Sequence, residues 1–135
     1  MSQEDVDALK RGFDAVSRLD GEGLLAMTDP EVEFRPRFQL MLGGKAAVYQ
    51  GHAGVREALR DLYAALDWIK PEISEIRDLE GRIVALGRLS LRGKHSGAEV
   101  ASPAGWVVDI KDGKALRVAE YLDHSETLEA AGLEE

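Results

Sequence analysis

Cysteine is missing from this chain of 135 residues. That absence excludes disulfides, thiolate zinc sites, iron–sulfur clusters and cysteine nucleophiles together. A reducing compartment fits a chain without thiols, and a cytoplasmic location is the expectation. Basic residues are in deficit: 17 Lys and Arg stand against 25 Asp and Glu, a formal net charge of −8. A field of that sign repels phosphate backbones and anionic bilayers, so no nucleic acid and no membrane is expected as a partner. Long apolar runs are absent too. No stretch approaches a membrane span, and the acidic start, Gln3-Glu4-Asp5-Val6-Asp7, has no apolar run behind it, so no signal peptide is expected. Histidine is scarce: His52, His95 and His124 lie far apart, without the paired spacing of a metal site. Neither a metal nor a cofactor is expected.

What is present is a globular balance, 44% hydrophobic and 31% charged. No repeat, linker or low-complexity tract divides it, so residues 1–135 read as one domain, long enough to bury a core unaided. Val6, Leu9, Phe13, Val16 and Leu19 recur in steps of three and four, which predicts an amphipathic helix from Gln3 to about Asp20. Ser2 and Asp5 have the spacing of a capping box at its start. A short helix is expected over Gly23 to Met27, stopped by Asp29-Pro30. Glu31 to Phe38 reads as a strand near an edge, since Pro36 cannot donate to a ladder. A third helix follows Gly51-His52, carrying Val55, Leu59, Leu62, Tyr63 and Leu66, and Pro71 closes that region.

The second half reads as β. Strands are expected over Glu72–Leu79, Arg82–Arg92, Gly97–Ile110 (interrupted by Pro103) and Ala115–Asp123, with hairpin turns at Glu80-Gly81 and Asp112-Gly113. A closing helix runs from His124 to Ala131, with Gly132 as its stop. The fold class is therefore α+β: a cone-like curved antiparallel sheet packed on three N-terminal helices, with a short C-terminal helix. A sheet curled round helices leaves a cavity at its open end, and a small apolar molecule is the expected occupant.

Four phrases carry a resemblance. They are Tyr49-Gln50-Gly51-His52-Ala53-Gly54-Val55-Arg56-Glu57, Arg92-Gly93-Lys94-His95-Ser96-Gly97, Asp112-Gly113-Lys114, and the ending from Tyr121 to Leu133. In this order they resemble the nuclear transport factor 2-like superfamily, in its SnoaL-like and ketosteroid isomerase-like branch. The resemblance implies a cone fold and a homodimer paired through the outer sheet face. It leaves function open, because the superfamily includes isomerases, cyclases, epoxide hydrolases, dehydratases and non-catalytic domains.

The isomerase pattern needs a tyrosine, a carboxylate base and a protonated Asp. The matching positions fall at Gly12 or Phe13, at Phe34 or Arg35, and near Trp106, and none carries the required group. The epoxide hydrolase pattern needs an asparagine to place water, and this chain has none. The cyclase pattern needs one acid near the end of the last strand. Asp123 matches it, and Glu120 stands beside it; Asp123 is equally placed to cap the closing helix. By period two, Glu120 shares a face with Val118 and points to the pocket if Val118 does. Arg35 and Arg37 flank Pro36, and either hold an anion or protect an edge. Arg88 and Arg92 alternate with Leu89 and Leu91, which puts leucine toward the core and arginine outward. The expected catalytic candidates are thus Asp123 and Glu120. The expected ligand-binding residues are Trp106, Phe34, Arg35, Leu89, Phe13 and Trp68. Three functions are open: a binding protein for a small apolar ligand, an acid/base enzyme using a last-strand carboxylate, or a protein-interaction domain.

Overall fold

The computed structural model describes residues 3–133. The periodic segment at the start forms α1, Gln3–Ser17. It stops three residues before the predicted end because Leu19 takes a left-handed backbone, φ 54°, and the next helix nucleates at once. Asp20 caps that helix, α2 (Gly21–Ala26), its carboxylate accepting from Gly23 N at 3.0 Å. The predicted capping box rests on Ser2, which lies outside the described residues.

β1 (Thr28–Arg35) begins before Pro30 and ends before Pro36. A one-turn helix, α3 (Phe38–Met41), and a two-residue strand, β2 (Tyr49–Gln50), then lead into α4 (Gly51–Ala65). The α3 turn has no periodicity to announce it. Gly51 is required at the entrance to α4: its φ is +67°, and a Cβ there would lie 3.2 Å from Pro30 O. The predicted helix end and strand start both need correction. Leu66 belongs not to α4 but to β3 (Leu66–Asp78), which runs straight through Pro71. β3 is the free edge of the sheet, where a residue without an N–H breaks no ladder on its open side.

β4 (Arg82–Gly93), β5 (Glu99–Lys111) and β6 (Lys114–Tyr121) complete a six-stranded sheet in the order β2-β1-β6-β5-β4-β3. β3 to β6 form an antiparallel meander; β1 joins it by a parallel pairing with β6 and is covered on its other side by β2. Pro103 does not interrupt β5: it pairs in register with Arg88. Register shifts at Leu66/Trp68, Ile73/Glu75, Asp109/Ile110 and within β1 mark bulges that bend the strands.

Alternation gives the sheet two different faces. The concave face carries Ala85, Leu89, Leu91, Trp106 and Val108, packed with Val55, Leu59 and Leu62 of α4 and with Leu9, Phe13 and Val16 of α1. The outer face carries Val84, Leu86 and Val107, covered by Leu128 of α5 (His124–Ala130) and by Ala131, its C-terminal cap. Burying Leu128 there contributes about 2 kcal/mol. Gly105 lets α5 approach: a Cβ at that position would lie 2.1 Å from Thr127 Oγ1. Beside α5 the outer face carries a cross-strand row of alternating charge. Arg117 bonds Glu33 at 2.9 Å, Arg82 bonds Asp109 at 2.6 Å, and Asp109 pairs in register with Arg117. Arg88 and Arg92 are exposed, as the alternation predicts. Among the described residues, no helix is long and apolar enough to cross a membrane.

Candidate functional site

Between the concave face and the helices lies a cavity of about 100 Å³. α1 supplies Leu9, Gly12 and Phe13, and α4 supplies Val55 and Leu62. The sheet supplies Val32 and Phe34 from β1, Leu89 from β4, Trp106 and Val108 from β5, and Val118 and Glu120 from β6. Glu120 is the sole ionisable side chain among the lining residues. Five of the sequence-predicted site residues therefore meet here: Glu120, Trp106, Phe34, Leu89 and Phe13. Leu91, on the same face as Leu89, is buried core and does not line the cavity.

Glu120 is 8% exposed. Register pairs it with Trp106, which sets the indole beside the carboxyl. Trp106 Nε1–H donates to Oε2 at 2.6 Å, and the backbone N–H of Arg37 donates to Oε1 at 2.7 Å. The second bond also fastens the start of α3 to the last strand. Burial pushes the Glu120 carboxyl above the usual carboxylate range, against the two hydrogen bonds and the Arg37 charge, which favour the ionised form. A carboxylate offers about four lone-pair directions, and two are used by these donors. The group can therefore still accept a proton or hydrogen bond from a molecule in the cavity, or donate one when protonated. Phe13 meets Trp106 edge to face, with centroids 4.8 Å apart and planes at 69°, so the indole has an aromatic neighbour as well as its bond to Glu120.

Three predicted site residues lie elsewhere. Asp123 is exposed and caps α5, its Oδ1 accepting from Glu126 N at 2.9 Å. It does not line the cavity, because the strand ends at Tyr121 and the chain has already turned toward the outer face. Arg35 points to the outer face by alternation and bonds Glu33 at 2.8 Å. Together with Arg117 it holds the Glu33 carboxyl down at about 2. Trp68 is half-buried and lies outside the cavity lining, next to the bulge in β3 that redirects its side chain.

The histidines serve the backbone. His52 Nε2 lies 2.9 Å from Thr28 O and His124 Nε2 2.8 Å from Gly87 O, while His95 is exposed. No group of three or more potential ligands that could hold a metal occurs among the described residues. Sequence reasoning missed the role of Arg37 N and the lining contributed by Leu9 and Gly12. It also missed a polar cluster outside the cavity lining. There Tyr49 Oη–H donates to Asp61 at 2.6 Å and Gln39 Nε2–H donates to Tyr49 Oη at 3.2 Å. Burial first, then the bond to Asp61, pushes the Tyr49 hydroxyl up to about 12.

Comparison with known proteins places this geometry. Residues 9–118 match the sequence profile of the SnoaL-like domain. An NTF2-like protein of unknown function from Burkholderia pseudomallei K96243 superposes with a TM-score of 0.78 at 21% identity, over 96% of this chain and 97% of that one. TerC, co-crystallised with polyporic acid, gives a TM-score of 0.76 at 23% identity, over 97% and 98%. A protein of Shewanella denitrificans OS-217, provisionally described as a SnoaL-like polyketide cyclase, gives 0.74 at 13% identity, over 96% and 99%. At these identities the likeness is one of fold. No curated protein matches the chain.

Proposed function

This chain belongs to the SnoaL-like domain family, and we propose that it binds a small, largely apolar molecule whose one polar group is addressed by Glu120. A single observation carries the reading. The wall of the cavity is apolar apart from Thr28, whose hydroxyl is bonded to Leu25 O, and one carboxyl, and that carboxyl is oriented by two N–H donors. Such walls reward apolar surface, and a lone buried polar group sets orientation and selectivity, because leaving it unmatched is costly. A neighbour of the same fold was crystallised with polyporic acid, which is in keeping with a small-molecule ligand. Fluorescence titration with N-phenyl-1-naphthylamine tests it: this neutral probe has apolar rings and one N–H donor. Saturable enhancement, displaced by 1-naphthol and weakened in Glu120→Gln, is expected. No saturable binding by the wild type would overturn the proposal.

A second reading follows from the raised proton affinity of Glu120. A carboxyl whose pKa is moved toward neutrality by burial is suited to move a proton to or from carbon next to a carbonyl. 2-Tetralone, a neutral apolar ketone, tests it. Exchange of its α-protons for deuterium should be accelerated by the wild type and reduced about 10²–10⁴-fold in Glu120→Gln. Equal rates for protein and buffer would leave binding alone. Pairing of two copies through the outer face, which the family resemblance implies, would bring the row of Glu33, Arg117, Asp109 and Arg82 into the interface. Sedimentation equilibrium reads this directly, and a monomer at every concentration counts against it.

A further inference from the structure

Gly12 stands near the middle of α1, where glycine is the least favoured residue after proline. Nothing local requires it. Its φ is not in the left-handed range, and a Cβ built on it would meet no atom within 4 Å. Yet Gly12 is not on the solvent face: it is half-buried and lines the cavity, next to Phe13, whose ring holds Trp106. A glycine facing a packed core is explained by the neighbour that would otherwise be struck, as Gly105 of β5 is by Thr127. At Gly12 the neighbour is empty space within the cavity. The helix therefore gives up propensity to keep room that the protein itself does not fill.

We infer that Gly12 is a specificity-determining position, where the ligand packs directly on the α1 backbone, and that the missing side chain sets how large a ring system the cavity accepts. The inference rests on the binding function proposed above. A flat ring face suits this wall, since a helix surface without a side chain is shallow, and the flanking Phe13 offers an aromatic contact beside it.

The test compares wild type, Gly12→Ala and Gly12→Leu with two probes, two-ring 1-naphthol and three-ring N-phenyl-1-naphthylamine. Circular dichroism should show Gly12→Ala melting a few degrees higher than wild type, since helix propensity rises and nothing is struck. Gly12→Leu should weaken the three-ring probe about tenfold and the two-ring probe less than about threefold, with Gly12→Ala moving in the same direction by a smaller factor. If wild type binds both probes and both variants keep its affinities and size preference, the role of Gly12 is refuted while the binding function stands. If wild type binds neither probe, the binding function falls and this inference with it. Should Gly12→Leu not fold, the size preference of Gly12→Ala decides.

Discussion

Replacing Glu120 by Gln keeps the shape of the cavity wall and removes its ionisable group. Two effects oppose each other, and they separate by pH. The amide has one accepting oxygen where the carboxyl has two, so it satisfies either Trp106 Nε1–H or Arg37 N–H and turns its own NH₂ toward the other. The unmade bond costs about 1–3 kcal/mol. Against this, the wild-type carboxyl links stability to pH. Burial raises the folded pKa of Glu120 above its ordinary value of 4.5, so the folded chain holds a proton that the unfolded chain releases. A contribution of that sign is complete below the unfolded pKa and is lost as pH rises through the folded pKa. Each unit between the two values is worth about 1.4 kcal/mol. Wild type should therefore be the more stable of the pair in acid, and its lead should shrink or reverse toward alkaline pH. Urea unfolding followed by tryptophan fluorescence, at steps from about pH 4.5 to 9, reads the difference directly. The general weakening caused by the acidic net charge is nearly common to both proteins and largely cancels. A gap between them that does not change with pH would refute the reasoning.

Three further outcomes follow. Asp123→Ala should lower stability by about 1 kcal/mol through the lost cap on α5 and leave probe binding unchanged, which titration and urea unfolding check together. Gly105→Ala should destabilise by about 1–3 kcal/mol, because the new methyl meets Thr127 across the α5 contact. Amide exchange should then rise in α5 before it rises in α1. Glu33→Gln should cause a small loss of stability at neutral pH that about 1 M salt removes. Because the Glu33 pKa is lowered from 4.5 to about 2, its contribution is present above 4.5 and fades as pH falls through that interval, so acid unfolding of wild type and variant should converge there.

The helices other than α3, the hairpin turns and the two-sided β4 were legible because local periodicity and turn chemistry set them. What escaped was set by irregularity. Counting strictly back from the Asp112-Gly113 turn places Trp106 opposite Ala119, which would send Glu120 to the outer face. The bulge at Asp109/Ile110 shifts the register by one residue and sets Trp106 opposite Glu120 instead. Only the apolar character of Val118 hinted at this in the sequence. Asp123 misled for the opposite reason: Asp at that distance suits both a catalyst and a cap, and spacing alone does not tell which way the chain turns after Tyr121. Arg35 was placed in the site because, with Arg37 across Pro36, it could hold an anion; Phe34 beside it does line the cavity. Period two separates them, one to the cavity and one to the charge row. Gly12 was legible only as a missing tyrosine; the space above it is a tertiary fact.

The most direct test of the account is the carboxyl carbon resonance of Glu120, followed by NMR from about pH 3 to 9 with and without 1-naphthol. If the cavity binds apolar molecules as proposed, the buried carboxyl on its wall should titrate above the surface glutamates, and its resonance should move saturably as 1-naphthol is added. A Glu120 signal that titrates with the surface carboxylates and ignores 1-naphthol would contradict the account.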